Sequence, residues 1–65
     1  MMKIIEVGQK CKAKHELELF ELTIPTNMIC TIIKNRKNGK LNLVTDKNQY
    51  ICDINSEIFS YFELI

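Results

Sequence analysis

The chain has 65 residues, of which 46% are apolar and 26% charged, with a formal net charge of +1. A chain this short makes one domain, residues 1–65, and buries only roughly 60% of the surface its unfolded form exposes, which excludes a large internal cofactor pocket. The apolar content suffices for a packed core and excludes disorder, and no stretch approaches the ~20 consecutive apolar residues of a membrane span.

Residues 3–7 form a short apolar run that stops at Gly8, and the N-terminal stretch 1–7 is too short and too charged for a signal peptide. Next, Cys11, Ala13, His15 and Leu17 alternate with Lys10, Lys12, Lys14 and Glu16, and a period of two predicts a strand over 10–17. The alternation runs on to Leu19 and then changes phase, with Phe20 and Leu22 apolar. That pattern suits a bulge or an irregular hairpin loop, and a short helix over 16–22 is the competing expectation. Pro25 ends any such helix.

Residues 28–33 hold three β-branched isoleucines and a single polar residue, Thr31, which predicts a strand covered on both faces. Asn38-Gly39 is a hairpin signal, because a type I′ turn needs positive φ at both central residues. It would join a strand over 28–36 to one over 41–45. Asp46, Lys47 and Asn48 supply a second turn before a strand over 50–54, completing a three-stranded meander.

The C-terminal segment reads two ways. Asn55 or Ser56 could cap a helix with Ile58, Phe59, Phe62 and Ile65 on its apolar face, giving an α+β fold of a three-stranded meander and a C-terminal helix. The preferred expectation is one 3₁₀ turn over 55–59 and a last strand over 61–65 that pairs with the first. The fold expected is therefore all-β, a five-stranded small barrel with one 3₁₀ turn and no open edge.

Charge falls in blocks. Lys3, Lys10, Lys12 and Lys14 against Glu6 make residues 1–14 basic, and Glu16, Glu18 and Glu21 make residues 15–33 acidic. Residues 34–47 are basic again through Lys34, Arg36, Lys37, Lys40 and Lys47 against Asp46, and Asp53, Glu57 and Glu63 make the remainder acidic. Such a surface steers a charged partner.

The inventory argues against catalysis. Cys11, Cys30 and Cys52 form no C-x-x-C pair, and His15 is the sole histidine, so no zinc site or other metal site is expected. Each cysteine sits among apolar neighbours as a small hydrophobe, with a redox pair as the alternative if the fold brings two together. An odd cysteine count without a signal peptide points to a reducing, intracellular compartment, cytoplasmic or organellar. There is no Gly-rich phosphate loop, since Gly8 and Gly39 are the only glycines. Neither an enzyme nor a cofactor is expected.

The stretch Glu21-Leu22-Thr23-Ile24-Pro25-Thr26-Asn27-Met28-Ile29 resembles the E-L-S-F-x-x-G-D-I stretch of Src-homology-3 domains. Phe59-Ser60-Tyr61-Phe62-Glu63-Leu64-Ile65 resembles their closing P-S-N-Y-V-x-L-I, and Cys11-Lys12-Ala13-Lys14-His15-Glu16-Leu17 resembles their opening A-L-Y-D-Y strand. The resemblance is collinear from Cys11 to Ile65 and implies an SH3-like barrel. Those domains receive proline-rich ligands in a groove of tyrosines, a tryptophan and a proline. Here His15, Leu17, Leu41 and Phe59 replace most of these, there is no tryptophan, and Tyr61 alone is retained. Val7-Gly8-Gln9-Lys10-Cys11-Lys12-Ala13 resembles the G-x-x-V-x-V opening of stand-alone SH3-like subunits of photosynthetic electron-transport complexes. That similarity implies a cofactor-free accessory subunit, peripheral to a membrane complex.

Three functional expectations follow. The first is a non-catalytic accessory subunit docking on a larger protein complex, with His15, Glu16, Leu17, Glu18, Glu21, Leu41 and Tyr61 as the partner-binding surface. The second is nucleic-acid binding through Lys34, Arg36, Lys37 and Lys40. The third is a small inhibitor from a mobile element.

Overall fold

The computed structural model describes residues 5–35 and 39–65. Strand β1 (Lys10–Ala13) turns Cys11 and Ala13 inward and Lys10 outward, as its alternation requires. It stops four residues short of the expected end: the chain bends over 14–16, where the Lys14 N–H donates to the Tyr61 carbonyl at 2.9 Å. Alternation resumes in β2 (Leu17–Leu19), which pairs antiparallel with β3 (Leu22–Ile24). The phase change is neither a bulge nor a helix. Phe20 and Glu21 are the two central residues of a tight turn, at φ of +50° and +70°, the signs a type I′ turn requires. Two intervening residues in place of one shift the apolar phase by one residue while leaving Leu17, Leu19, Leu22 and Ile24 packed against the core.

Strands β4 (Ile29–Asn35), β5 (Leu41–Thr45) and β6 (Tyr50–Ile54) form the expected meander. Asn38 of the first turn lies outside the described residues, as do Arg36 and Lys37. β4 is buried on one face, through Cys30 and Ile32, rather than on two; on the other face Ile29 and Thr31 are only half-covered and Ile33 is exposed. Two irregularities meet opposite Asn42. The β4–β5 register skips Ile33, and the β5–β6 register slips between Leu41 and Leu43, with Asp53 at φ +60° donating its N–H to Asn42 Oδ1 at 3.3 Å. Bulges of this kind bend and twist a sheet. In the β5–β6 turn the Thr45 hydroxyl, on a buried residue, accepts N–H bonds from Lys47 and Gln49 at 3.2 Å each.

After β6 the chain makes a single turn, α1 (Ser56–Phe59), whose N-terminal N–H group at Ile58 is capped by Asn55 Oδ1 at 2.8 Å. Its bonds from Phe59 to Asn55 and from Ser60 to Ser56 span four residues, so the turn is α-helical rather than the expected 3₁₀. It ends at Phe59 because the next residues leave for β7 (Phe62–Leu64), which pairs antiparallel with β1 in the register Cys11↔Leu64, Lys12↔Glu63, Ala13↔Phe62. The last strand thus lies beside the first, and no longer C-terminal helix forms.

The main sheet runs β6-β5-β4-β1-β7, all its neighbours antiparallel, with β2-β3 as a separate two-stranded sheet. The protein is mainly β. The expected closure is not seen among the described residues: β6 and β7 stand at the two ends of the sheet order, and β7 pairs with β1 alone. Between the sheet's inner face and the hairpin lies one core, in which Cys11, Ala13, Cys30, Ile32, Leu43 and Ile54 are wholly inaccessible and Ile24, Ile51 and Phe62 nearly so.

Candidate functional site

The β2–β3 hairpin carries three of the predicted partner-binding residues at its surface. Glu16 lies just before β2, Glu18 sits opposite Thr23 on the outward face, and Glu21 occupies the turn, all three exposed. No ion pair between described residues engages them, whereas Lys12 and Glu63 form a bridge at 4.0 Å. The acidic block therefore lies on the outer side of one hairpin, without an ion-pair partner among the described residues.

His15 and Tyr61 mark the root of this hairpin. Their rings meet edge to face, with centroids 5.4 Å apart at 61°, a favourable geometry for two aromatic systems. His15 Nδ1 lies 3.1 Å from the Glu16 carbonyl oxygen, and Tyr61 is held from behind by the Lys14 N–H bond.

Leu17 and Leu41 do not join them. They are only 7% and 4% exposed, because Leu17 faces inward opposite Ile24 and Leu41 begins the inward row of Leu41, Leu43 and Thr45. Both are core residues, and Leu41 also lines a cleft of about 310 Å³ with Ile54, Phe59, Asn55 and Ser60. Among the described residues no titratable side chain lines that cleft.

The aromatic that reaches solvent at the acidic end is Phe20, 63% exposed on the hairpin turn. Sequence reasoning missed it. Its signal was the phase change between Leu19 and Leu22: the two residues that interrupt an alternation across a hairpin occupy its tip, where a side chain has no sheet face to join.

Of the alternative basic set, Lys34 is exposed near the end of β4 and Lys40 is half-buried before β5, while Arg36 and Lys37 lie outside the described residues. Cys11 and Cys30 are buried and Cys52 is exposed. Burial pushes the Cys11 thiol up to about 12, with a further contribution from Cys30, and the Cys30 thiol up to about 11, with a further contribution from Asp46. Neither is a thiolate at neutral pH. Among the described residues no group of three or more His, Cys, Asp or Glu is placed to hold a metal ion, and no helix is long and apolar enough to cross a membrane.

No protein-family model matches the chain, and neither curated proteins nor solved structures yield a match.

Proposed function

We propose that this chain is a non-catalytic, SH3-like interaction module that docks on a larger protein complex through the β2–β3 hairpin and the His15–Tyr61 pair at its root. The observation that carries this is the hairpin tip. Phe20, an exposed aromatic, is surrounded along the chain by the unpaired carboxylates of Glu16, Glu18 and Glu21. Interface hot spots are aromatic anchors inside a polar rim. Two consecutive non-glycine residues at positive φ are sustained only where surrounding structure or function compensates the strain.

The SH3-like part is supported by the order of elements: a hairpin between the first and fourth strands, a three-stranded meander, one helical turn, and a last strand beside the first. The acidic rim favours a partner whose surface is basic and disfavours phosphate polymers. The test is affinity capture of the tagged protein from its native lysate with nuclease present, comparing wild type with Phe20→Ala, with Glu18→Lys/Glu21→Lys and with Lys34→Glu. A stoichiometric partner that survives nuclease, is lost from both hairpin variants and is kept by Lys34→Glu is the expected result. Recovery that vanishes with nuclease, or hairpin variants that capture as well as wild type, overturns the proposal.

A further inference from the structure

Cys11 and Cys30 stand directly opposite each other in the β1–β4 ladder. Both are 0% exposed, so their side chains share the inner face of the sheet. Backbone bonds from Ala13 N–H to the Met28 carbonyl at 3.2 Å and from Ile32 N–H to the Gln9 carbonyl at 2.9 Å lie two residues to either side. Alternation along the ladder then makes Cys11–Cys30 a hydrogen-bonded pair, with Cα atoms typically about 5.5 Å apart. That Cα separation falls within the roughly 4.4–6.8 Å that a disulfide spans, and the Cβ atoms, about 5 Å apart in such a pair against roughly 3.5–4.5 Å in a disulfide, draw together as the bond forms. The third thiol, Cys52, is exposed on edge strand β6, outside the core that holds the other two.

We infer that Cys11 and Cys30 are an oxidative modification site, forming an intramolecular cross-strand disulfide when the protein meets a low-molecular-weight disulfide such as oxidised glutathione. One protein thiol loses its proton and its thiolate attacks the oxidant's S–S bond, expelling one glutathione thiolate. The second protein thiolate attacks the protein sulfur of that mixed disulfide and expels the other. Two protein thiols become one S–S bond, one oxidant disulfide is reduced to two thiols, and the two protons pass to the leaving thiolates.

The geometry also names the route of access. On its other side Cys11 pairs with Leu64 of β7, a three-residue edge strand, and short edges open at low free energy. Release of β7 uncovers Cys11, which becomes the sulfur that meets the oxidant; formation is slow and accelerates with pH, since both thiols sit far above neutrality. The bond closes a loop containing the whole β2–β3 hairpin. It lies two residues from Ala13 and Met28, where that hairpin leaves and rejoins the sheet. Loop closure of this length raises the folding equilibrium constant on the order of a hundredfold. The bond stands or falls independently of the docking proposal.

The test incubates reduced full-length protein with oxidised glutathione in native buffer, followed by denaturation, alkylation and peptide mass spectrometry. The expected product is monomeric, lacks two hydrogen atoms, carries an alkyl or glutathione group at Cys52 only, and unfolds at higher urea than the reduced form. Cys52→Ser forms the same bond, and Cys30→Ala does not. Three results overturn the inference: Cys11 and Cys30 both alkylated after the incubation, a Cys52-linked dimer as the sole oxidised species, or a Cys11–Cys30 bond that forms only in denaturant. Should Cys30→Ala fail to fold, the linked Cys11–Cys30 peptide pair in the Cys52→Ser digest decides alone.

Discussion

Exchanging the turn Phe20-Glu21 for Asn-Gly should make the domain more stable and deprive it of its partner. Both residues lie in the left-handed region, at φ +50° and +70°, where a residue with a Cβ costs about 1–2 kcal/mol. Asparagine relieves part of that strain and glycine all of it. Against this, the new glycine adds freedom to the unfolded chain worth about 0.5–1 kcal/mol. Phe20 is 63% exposed, so little burial is given up. The net expectation for Phe20→Asn/Glu21→Gly is a gain of about 1–2 kcal/mol, and each kcal/mol raises Tm by roughly 4–8 °C in a domain of this size. Circular dichroism through thermal and urea unfolding reads it, as a higher midpoint at unchanged m. A midpoint equal to or below wild type refutes the assignment of strain to this turn. Retention of partner capture by a stabilised variant refutes Phe20 as the anchor.

Ile32 is 0% exposed at the centre of β4, so Ile32→Ala should lose about 2–5 kcal/mol and Ile32→Asp, which buries an unpaired charge, should not fold; a cooperative thermal transition in Ile32→Asp contradicts the register of β4. Asn55→Ala removes the cap that accepts the Ile58 N–H at 2.8 Å, and urea midpoints should report a loss of about 1 kcal/mol. In alkali the two buried thiols act in one direction. Their folded values of about 12 and 11 exceed the unperturbed 9.0, so below pH 9 both states keep their protons and stability is flat. Above it the unfolded chain deprotonates first, and stability falls as pH climbs toward 11 and 12. Cys11→Ala/Cys30→Ala should show a shallower alkaline decline than wild type, and identical slopes would contradict the burial.

Much of this fold was legible because strand periodicity and turn chemistry are local. The strands at Leu41–Thr45 and Tyr50–Ile54, with the turn between them, lie where β-branched runs and the Asp-Lys-Asn triplet put them. Local signals misplaced what depends on partners. The alternation from Lys10 to Leu17 reads as one strand, yet it breaks after Ala13, where Lys14 bonds to Tyr61, nearly fifty residues away in sequence. The C-terminal helix lost because its face of Phe59, Phe62 and Ile65 fits a turn followed by a strand, and pairing with β1 decides between them. In the candidate site the acidic residues were legible as exposed loop charges. Leu17 and Leu41 were not legible as core, since a leucine at a strand start faces inward or outward according to a register set by Ile24 and Ile54. Phe20 was hidden for the converse reason: apolar residues are assigned to cores unless the turn type is known.

The strand order β6-β5-β4-β1-β7 also sets an itinerary for self-assembly. Strands β4, β5 and β6 are chain neighbours joined by short connections, so their ladders close small loops at little entropic expense. β1 must instead find β4 across the whole β2–β3 hairpin and β7 across almost the entire chain. Loop entropy places those two associations late. Substitutions in the meander should slow folding, whereas substitutions in β7 should speed unfolding and leave the folding rate alone. β1, which in the finished molecule pairs with β4 on one side and β7 on the other, is then among the last to be sealed in, and the period during which its inner face stays open is set by the slowest contact the chain must make.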